Sequence, residues 1–288
     1  MDFDYFINRL QGSSKGIEEL NRNCKRSFFS WKKTKSIKKI RKKIQDNVHN
    51  INECLKTLKQ RVEDGYFGYF EYSAKPVSRY GWGKAPNQFL QSMIEKNNDN
   101  YAKTLKKFNE FRDFFQTVSM EEIDGKLPYW NNTYLPVIDA VSICGFIGEY
   151  KPKKFIEIGS GNSTRFACYA AKHLSPDTEV TSIDKYPGST IEAIPDIFLK
   201  CGLEELHDLS IFNNLQENDV VWLDGSHRSF SNTDVTVFFM DVLPRIPAGV
   251  IVGIHDIQLP WDYLPEWSHR FYNEQFLLAS YLIGAGDR

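Results

Sequence analysis

Four short polar stretches, each directly after a run of strand-forming residues, hold the side chains of this sequence best suited to chemistry. They are Glu157-Ile-Gly-Ser-Gly-Asn-Ser163, Ser182-Ile-Asp184, Leu223-Asp-Gly-Ser-His227 and Gly253-Ile-His-Asp256. Gly159 and Gly161 let a chain bend sharply and let a ligand approach with no Cβ in the way. Asp184 stands 25 positions after Gly159, where an acid can accept both hydroxyl hydrogens of a ribose. An imidazole with a pKa near neutrality, His227 or His255, suits removal of a proton from a weak hydroxyl nucleophile.

These stretches need elements that bring them together. Lys154 to Ile158 reads as a strand, the glycines as a tight turn and the following run to Leu174 as a helix capped by Ser163. Strand, turn and helix in that order aim bare N–H groups at a ligand. From Lys153 onward the chain alternates. Strands are expected at 154–158, 179–183, 203–207, 219–223 and 249–254, and helices at 163–174, 189–200, 229–241 and 267–283. Such alternation predicts an α/β fold with a mostly parallel sheet covered on both faces. Ligands of these sheets bind beyond the C-terminal strand ends. One acid after one strand is ordinary capping, whereas four polar strand ends on one rim point to a site.

The first 150 residues read as helical. Ile37, Ile40, Ile44, Val48, Ile51, Leu55, Leu58 and Val62 recur at alternating threes and fours, one stripe of a long helix that Asp64-Gly65 would stop. A stripe of that length calls for a partner helix, within the chain or in a homo-oligomer. Residues 66–86 read as a loop with aromatic anchors around Arg79-Tyr-Gly-Trp-Gly-Lys84, and further helices are expected at about 87–118 and 135–150. The division is thus a basic, coiled-coil-like extension (1–65), a helical cap region (66–150) and an α/β domain (151–288). The segment 79–86 and Trp130-Asn131 are the cap residues expected at the pocket.

Composition limits the function. A net charge of −1 argues against a wholly basic nucleic-acid binder, although Cys24 to Lys43 carry ten Lys or Arg and no acid. That run reads as a solvated helix face, with a nucleic-acid or anionic-membrane patch as the alternative. The five cysteines are widely spaced without a C-x-x-C, as expected of free thiols in a reducing, cytoplasmic setting and not of a zinc site. No secretory signal and no apolar run of membrane-spanning length is visible.

Taken together, Glu157-Ile-Gly-Ser-Gly-Asn-Ser-Thr164, Asp224-Gly-Ser-His227 and His255-Asp256 resemble class I S-adenosylmethionine (SAM)-dependent methyltransferases, in the branch of bacterial sugar and macrolide O-methyltransferases. An acid two positions before the first glycine is the pattern of that class. Thr164, where dinucleotide-binding turns have a third glycine, speaks against NAD. Arg79 to Pro86 and Tyr272 to Gln275 resemble an uncharacterised bacterial group of the same class, so the similarity covers about residues 76–288. The resemblance implies a Rossmann-like fold with SAM held by Glu157, Gly159, Gly161, Asn162, Ser163, Asp184 and Asp224, and by Asp208 at the adenine. It implies His227 as the base, and a magnesium ion on Asp224 and an acidic pair after the fifth strand. Here His255-Asp256 stands in place of that pair. Hard Mg²⁺ prefers oxygen, which leaves a softer divalent ion at Asp224, His255 and Asp256, or no metal. Sheets of this class end in two antiparallel C-terminal strands. Only five strands are found here, so those two are expected to be missing unless 276–283 is one of them.

The function expected is SAM-dependent O-methylation of a small-molecule, sugar or glycan hydroxyl, with His227, Asp224 and His255 as catalytic residues. The alternatives are an RNA methyltransferase holding phosphates with residues 25–43, and a non-catalytic SAM-binding scaffold.

Overall fold

The computed structural model describes residues 35–63, 72 and 74–285. The expected stop at Asp64-Gly65 and the first part of the basic run lie outside them. The chain divides into two compact units, Met1–Lys75 and Pro76–Arg288. In the first, helix α1 (Lys35–Glu63) realises the apolar stripe, on which Ile44 and Ile51 are exposed and Leu55 is buried.

The second unit begins with α2 (Gln88–Glu95), α3 (Asn98–Phe108) and a short helix, Arg112–Phe115, then α4 (Val137–Tyr150). The helical run expected over 87–118 is therefore broken. Asn87 caps α2, its side chain accepting from the amides of Phe89 and Leu90. Pro136 precedes α4, where a fixed φ and a missing N–H are harmless.

The α/β part alternates β1 (Lys154–Ile158), α5 (Asn162–Leu174), β2 (Glu179–Ile183), β3 (Ile197–Leu199), β4 (Val220–Leu223), α6 (Asp234–Val237), β5 (Ile251–Ile254) and α7 (Glu274–Ala285). The five strands form one sheet in the order β3-β2-β1-β4-β5, with every pairing parallel. This is the expected Rossmann-like α/β architecture. Alternate side chains of each strand enter two different cores. Phe155, Val180, Val220 and Trp222 pack with α4 and α5, and Ile156, Ile158, Ile183, Val221 and Leu223 pack with Leu203, Phe212, Val235 and Phe238 on the other face.

Several expected elements are corrected. The third strand is Ile197–Leu199, and Leu203–Glu205 is a single 3-10 turn. A helix over 189–200 fails because Pro195 would remove a backbone donor and clash with the preceding turn; only Ile191–Ala193 is helical there. The helix expected at 229–241 starts at Asp234 and runs into a wide turn, Phe238–Val242. The one at 267–283 is a 3-10 turn, Pro265–Arg270, separated by Phe271 in the left-handed region from α7. Residues 276–283 are thus helical, and no sixth or seventh strand is present among the described residues. The strand β5 lies at the sheet edge, half-buried, and Leu277 and Leu278 of α7 join the core that Val252 and Ile254 border.

Candidate active site

Strand order reverses between β1 and β4, so the crevice for a ligand opens above their carboxyl ends. Here the turns after the two strands touch. Gly159 has φ 88°, and a Cβ on it would lie 1.8 Å from the carbonyl oxygen of Asp224. Only glycine allows that contact. Beside it a cavity of about 460 Å³ is lined by Gly159, Ser160, Asp184, Leu203, Asp224 and Gly225, among others. That is a volume suited to a nucleoside-sized ligand.

Asp184 is half-buried in the cavity wall. One of its oxygens accepts from Ser160 Oγ at 2.5 Å, the other from the Tyr186 amide at 2.8 Å. Each keeps a lone pair for a further donor. Gly161 has open space where a Cβ would be. The N-terminal turn of α5 is tied not by Ser163 but by Thr164, whose Oγ1 accepts from the Gly161 amide at 2.9 Å. Ser163 is buried in the first turn. Asn162 donates from Nδ2 to Asn132 Oδ1 at 3.1 Å.

Glu157 lies beneath the turn, fully buried. Its Oε2 accepts from Thr164 Oγ1 at 2.5 Å and Ser182 Oγ at 3.0 Å. Burial pushes its carboxyl up to about 7, outweighing those hydroxyls, which favour the charged form. Glu157, which the resemblance placed among the SAM-holding residues, thus lies under the turn and does not line the cavity. Asp208 is exposed and holds the amide and hydroxyl of Ser210, at 2.8 and 2.9 Å. It follows the 3-10 turn at 203–205 and not a strand, and Leu203 and Glu204 line the cavity nearby in its stead.

On the other side of Asp224 stands a cluster of histidines and acids. The His227 Nε2 is 3.7 Å from Asp224 Oδ1 and 3.6 Å from Asp256 Oδ2. The His227 Nδ1 is 2.8 Å from Oε2 of Glu274, which is fully buried. The His255 Nδ1 is 3.1 Å from Asp224 Oδ1 and 3.7 Å from Asp256 Oδ1, and its Nε2 is 3.5 Å from Asp139 Oδ2. His227 and Asp256 have φ of 57° and 55°. Left-handed backbone at residues with a side chain is uncommon and concentrates at functional sites.

Burial opposes charge on both imidazoles, but the acids prevail. The hydrogen bond and charge of Glu274, then the charges of Asp224 and Asp256, hold His227 above its ordinary value. The nearby Asp139 and Asp224, then the charge of Asp256, carry His255 up to about 10. Asp139 from α4 and Glu274 from α7 are the members that sequence reasoning missed. Asp234 is a third, its carboxylate holding the amide and hydroxyl of Ser226 and so shaping the Asp224-Gly-Ser-His227 turn.

The residues do not fit a metal ion. Among the described residues no group of three or more His, Cys, Asp or Glu is arranged to hold one. In the set Asp224, His255 and Asp256 the His255 Nδ1 is turned onto the two carboxylates, at 3.1 and 3.7 Å. The cap residues are corrected as well. Trp130 packs on Phe115 and Phe166 in the core, and Asn131 donates to Glu121. The segment 79–86 docks on the loop at 258–263, the Asp262 carboxylate taking the amides of Arg79 and Tyr80.

Comparison with known proteins accords with this geometry. Residues 156–257 match the family model described as a methyltransferase domain. That span contains the glycine turn, Asp184, the Asp224 turn and His255-Asp256. A methyltransferase domain implies SAM as its cofactor, and the cavity beside Gly159 and Asp184 fits such a ligand. An uncharacterised protein of Archaeoglobus fulgidus is 29% identical over 131 residues, 43% of this chain. The match spans 59% of that relative's length. No solved structure matches significantly. No helix among the described residues is long and apolar enough to cross a membrane.

Proposed function

We propose that this protein is a SAM-dependent O-methyltransferase that acts on a hydroxyl of a small molecule, such as a sugar or glycan, with His227 as general base. The observation that carries the reading is the position of Asp224. It lines the cofactor cavity and at the same time faces the Nε2 of His227. A cofactor-side group and a proton acceptor thus share one residue.

When bound, SAM supplies a sulfonium methyl group for in-line displacement, a reaction in which positioning does most of the work. Asp184 offers its remaining lone pairs to the ribose hydroxyls. The single hydrogen of an acceptor hydroxyl would point at His227 Nε2, which lies 3.6–3.7 Å from the carboxylates of Asp224 and Asp256. As the new C–O bond forms and the S–C bond breaks, the hydroxyl proton passes to His227 Nε2. The charges of Asp224 and Asp256 favour the imidazolium that forms on His227. No step requires a metal.

The test is incubation with methyl-labelled SAM and a panel of sugars and hydroxylated small molecules, with methylated products read by mass spectrometry. His227→Ala is expected to abolish turnover while calorimetric affinity for S-adenosylhomocysteine stays within about threefold, because the histidine stands outside the cofactor cavity. Turnover that survives this change removes His227 as the base, and methylation at nitrogen removes the hydroxyl assignment.

A further inference from the structure

The stretch Tyr272 to Gln275 is left without a task by the reading above, although it lies against the proposed base. We infer that Asn273-Glu274-Gln275 is the device that positions His227, with Glu274 as a positioning residue that fixes its tautomer. The inference rests on the reading of His227 as the base.

Three contacts converge on that one residue. The amides of Asn273 and Glu274 donate to the carbonyl oxygen of His227 at 3.0 and 3.3 Å, which holds the backbone in its left-handed conformation. Asn273 Oδ1 accepts from the Ser229 amide at 2.7 Å, two residues further on. Glu274 Oε2 lies 2.8 Å from His227 Nδ1. A carboxylate there accepts a hydrogen, so Nδ1 must carry it and Nε2 must keep its lone pair. Nε2 is the nitrogen that faces Asp224 and Asp256. Were the hydrogen on Nε2 instead, the ring would offer a donor where a base is needed. The same carboxylate stabilises the imidazolium formed when Nε2 takes a proton, the part an orienting acid plays behind any histidine base.

Gln275 anchors the device. It is fully buried, accepts from the Gln258 amide at 3.0 Å and donates to the Trp261 carbonyl at 3.2 Å. The Tyr272 ring lies 4.7 Å from that of His227 and closes its remaining side. The loop held by Gln275 is the one on which Arg79 and Tyr80 dock through Asp262. Arg79-Tyr80 and Gln275 thus meet on the same loop.

The test is nitrogen-15 NMR of the full chain with labelled histidine, the His227 signals being identified by their loss in His227→Ala. Above the pKa of His227, the wild type is expected to show Nδ1 protonated, with a downfield and slowly exchanging proton, and Nε2 bare. In Glu274→Ala that downfield proton should vanish and Nε2–H appear. A wild-type spectrum with Nε2 protonated overturns the inference, and so does an unchanged tautomer in folded Glu274→Ala. The wild-type spectrum decides the point even if that variant misfolds. Binding of S-adenosylhomocysteine, followed by calorimetry, is expected to change less than threefold in Glu274→Gln. If the wild type itself fails to bind it, the methyltransferase reading fails while the tautomer result stands.

Discussion

Glu157 shows how one side chain acquires a task different from the one its position in a motif implies. It alternates with Ile156 and Ile158 along β1, so it points to the face that α5 covers. There it meets hydroxyls of Thr164 and Ser182 in place of solvent or ligand. Its carboxyl titrates near 7 in the folded protein, against an ordinary 4.5. Between those values the folded state binds more protons than the unfolded one, so stability is highest at low pH and falls as pH rises through the window. The shift corresponds to about 3 kcal/mol at neutral pH and above. Glu157→Gln keeps an acceptor for both hydroxyls without the charge. Chemical denaturation at a series of pH values is expected to show the fall between pH 4.5 and 7 flattened, with the variant more stable than the wild type at pH 8. Equal pH dependence in the two proteins would count against the raised carboxyl.

At the scale of the element, β5 carries the last pair of site residues, and its placement depends on one glycine. Gly253 is in register with Trp222 of β4. A Cβ there would come within 2.2 Å of the indole ring. The strand therefore lies where it does only because position 253 has no side chain. Overpacking of this kind costs about 1–3 kcal/mol. Gly253→Ala is expected to lower the denaturation midpoint accordingly and to disturb His255, two residues on. A variant as stable as the wild type would show that the ring can move aside. The turns after β1 and β4 follow the same rule, because Gly159 meets Asp224 with no room for a Cβ.

At the scale of the molecule, the sheet, both cores, the cavity beside Gly159 and the histidine cluster all fall within Pro76–Arg288. A fragment of those residues is expected to fold and to bind S-adenosylhomocysteine with an affinity within a few-fold of the full chain, measured by calorimetry. A fragment that folds without binding would assign part of the cofactor site to residues 1–75. The sequence alone determined what local periodicity and strand ends can express: a long helix over 35–63, a helix ahead of Pro152, a parallel α/β sheet from Lys154 onward, and polar turns after β1, β2, β4 and β5. It misplaced β3, because three residues carry too little pattern to be told from a helix beside Pro195. The tertiary structure decided the rest. Glu274 reaches His227 across 47 positions and Asp139 reaches His255 from α4, since packing of helices on a sheet, which no local pattern encodes, sets which distant side chains meet. Burial is likewise a property of the folded whole, and so only the packed structure could turn Glu157 inward and set His255 among three acids.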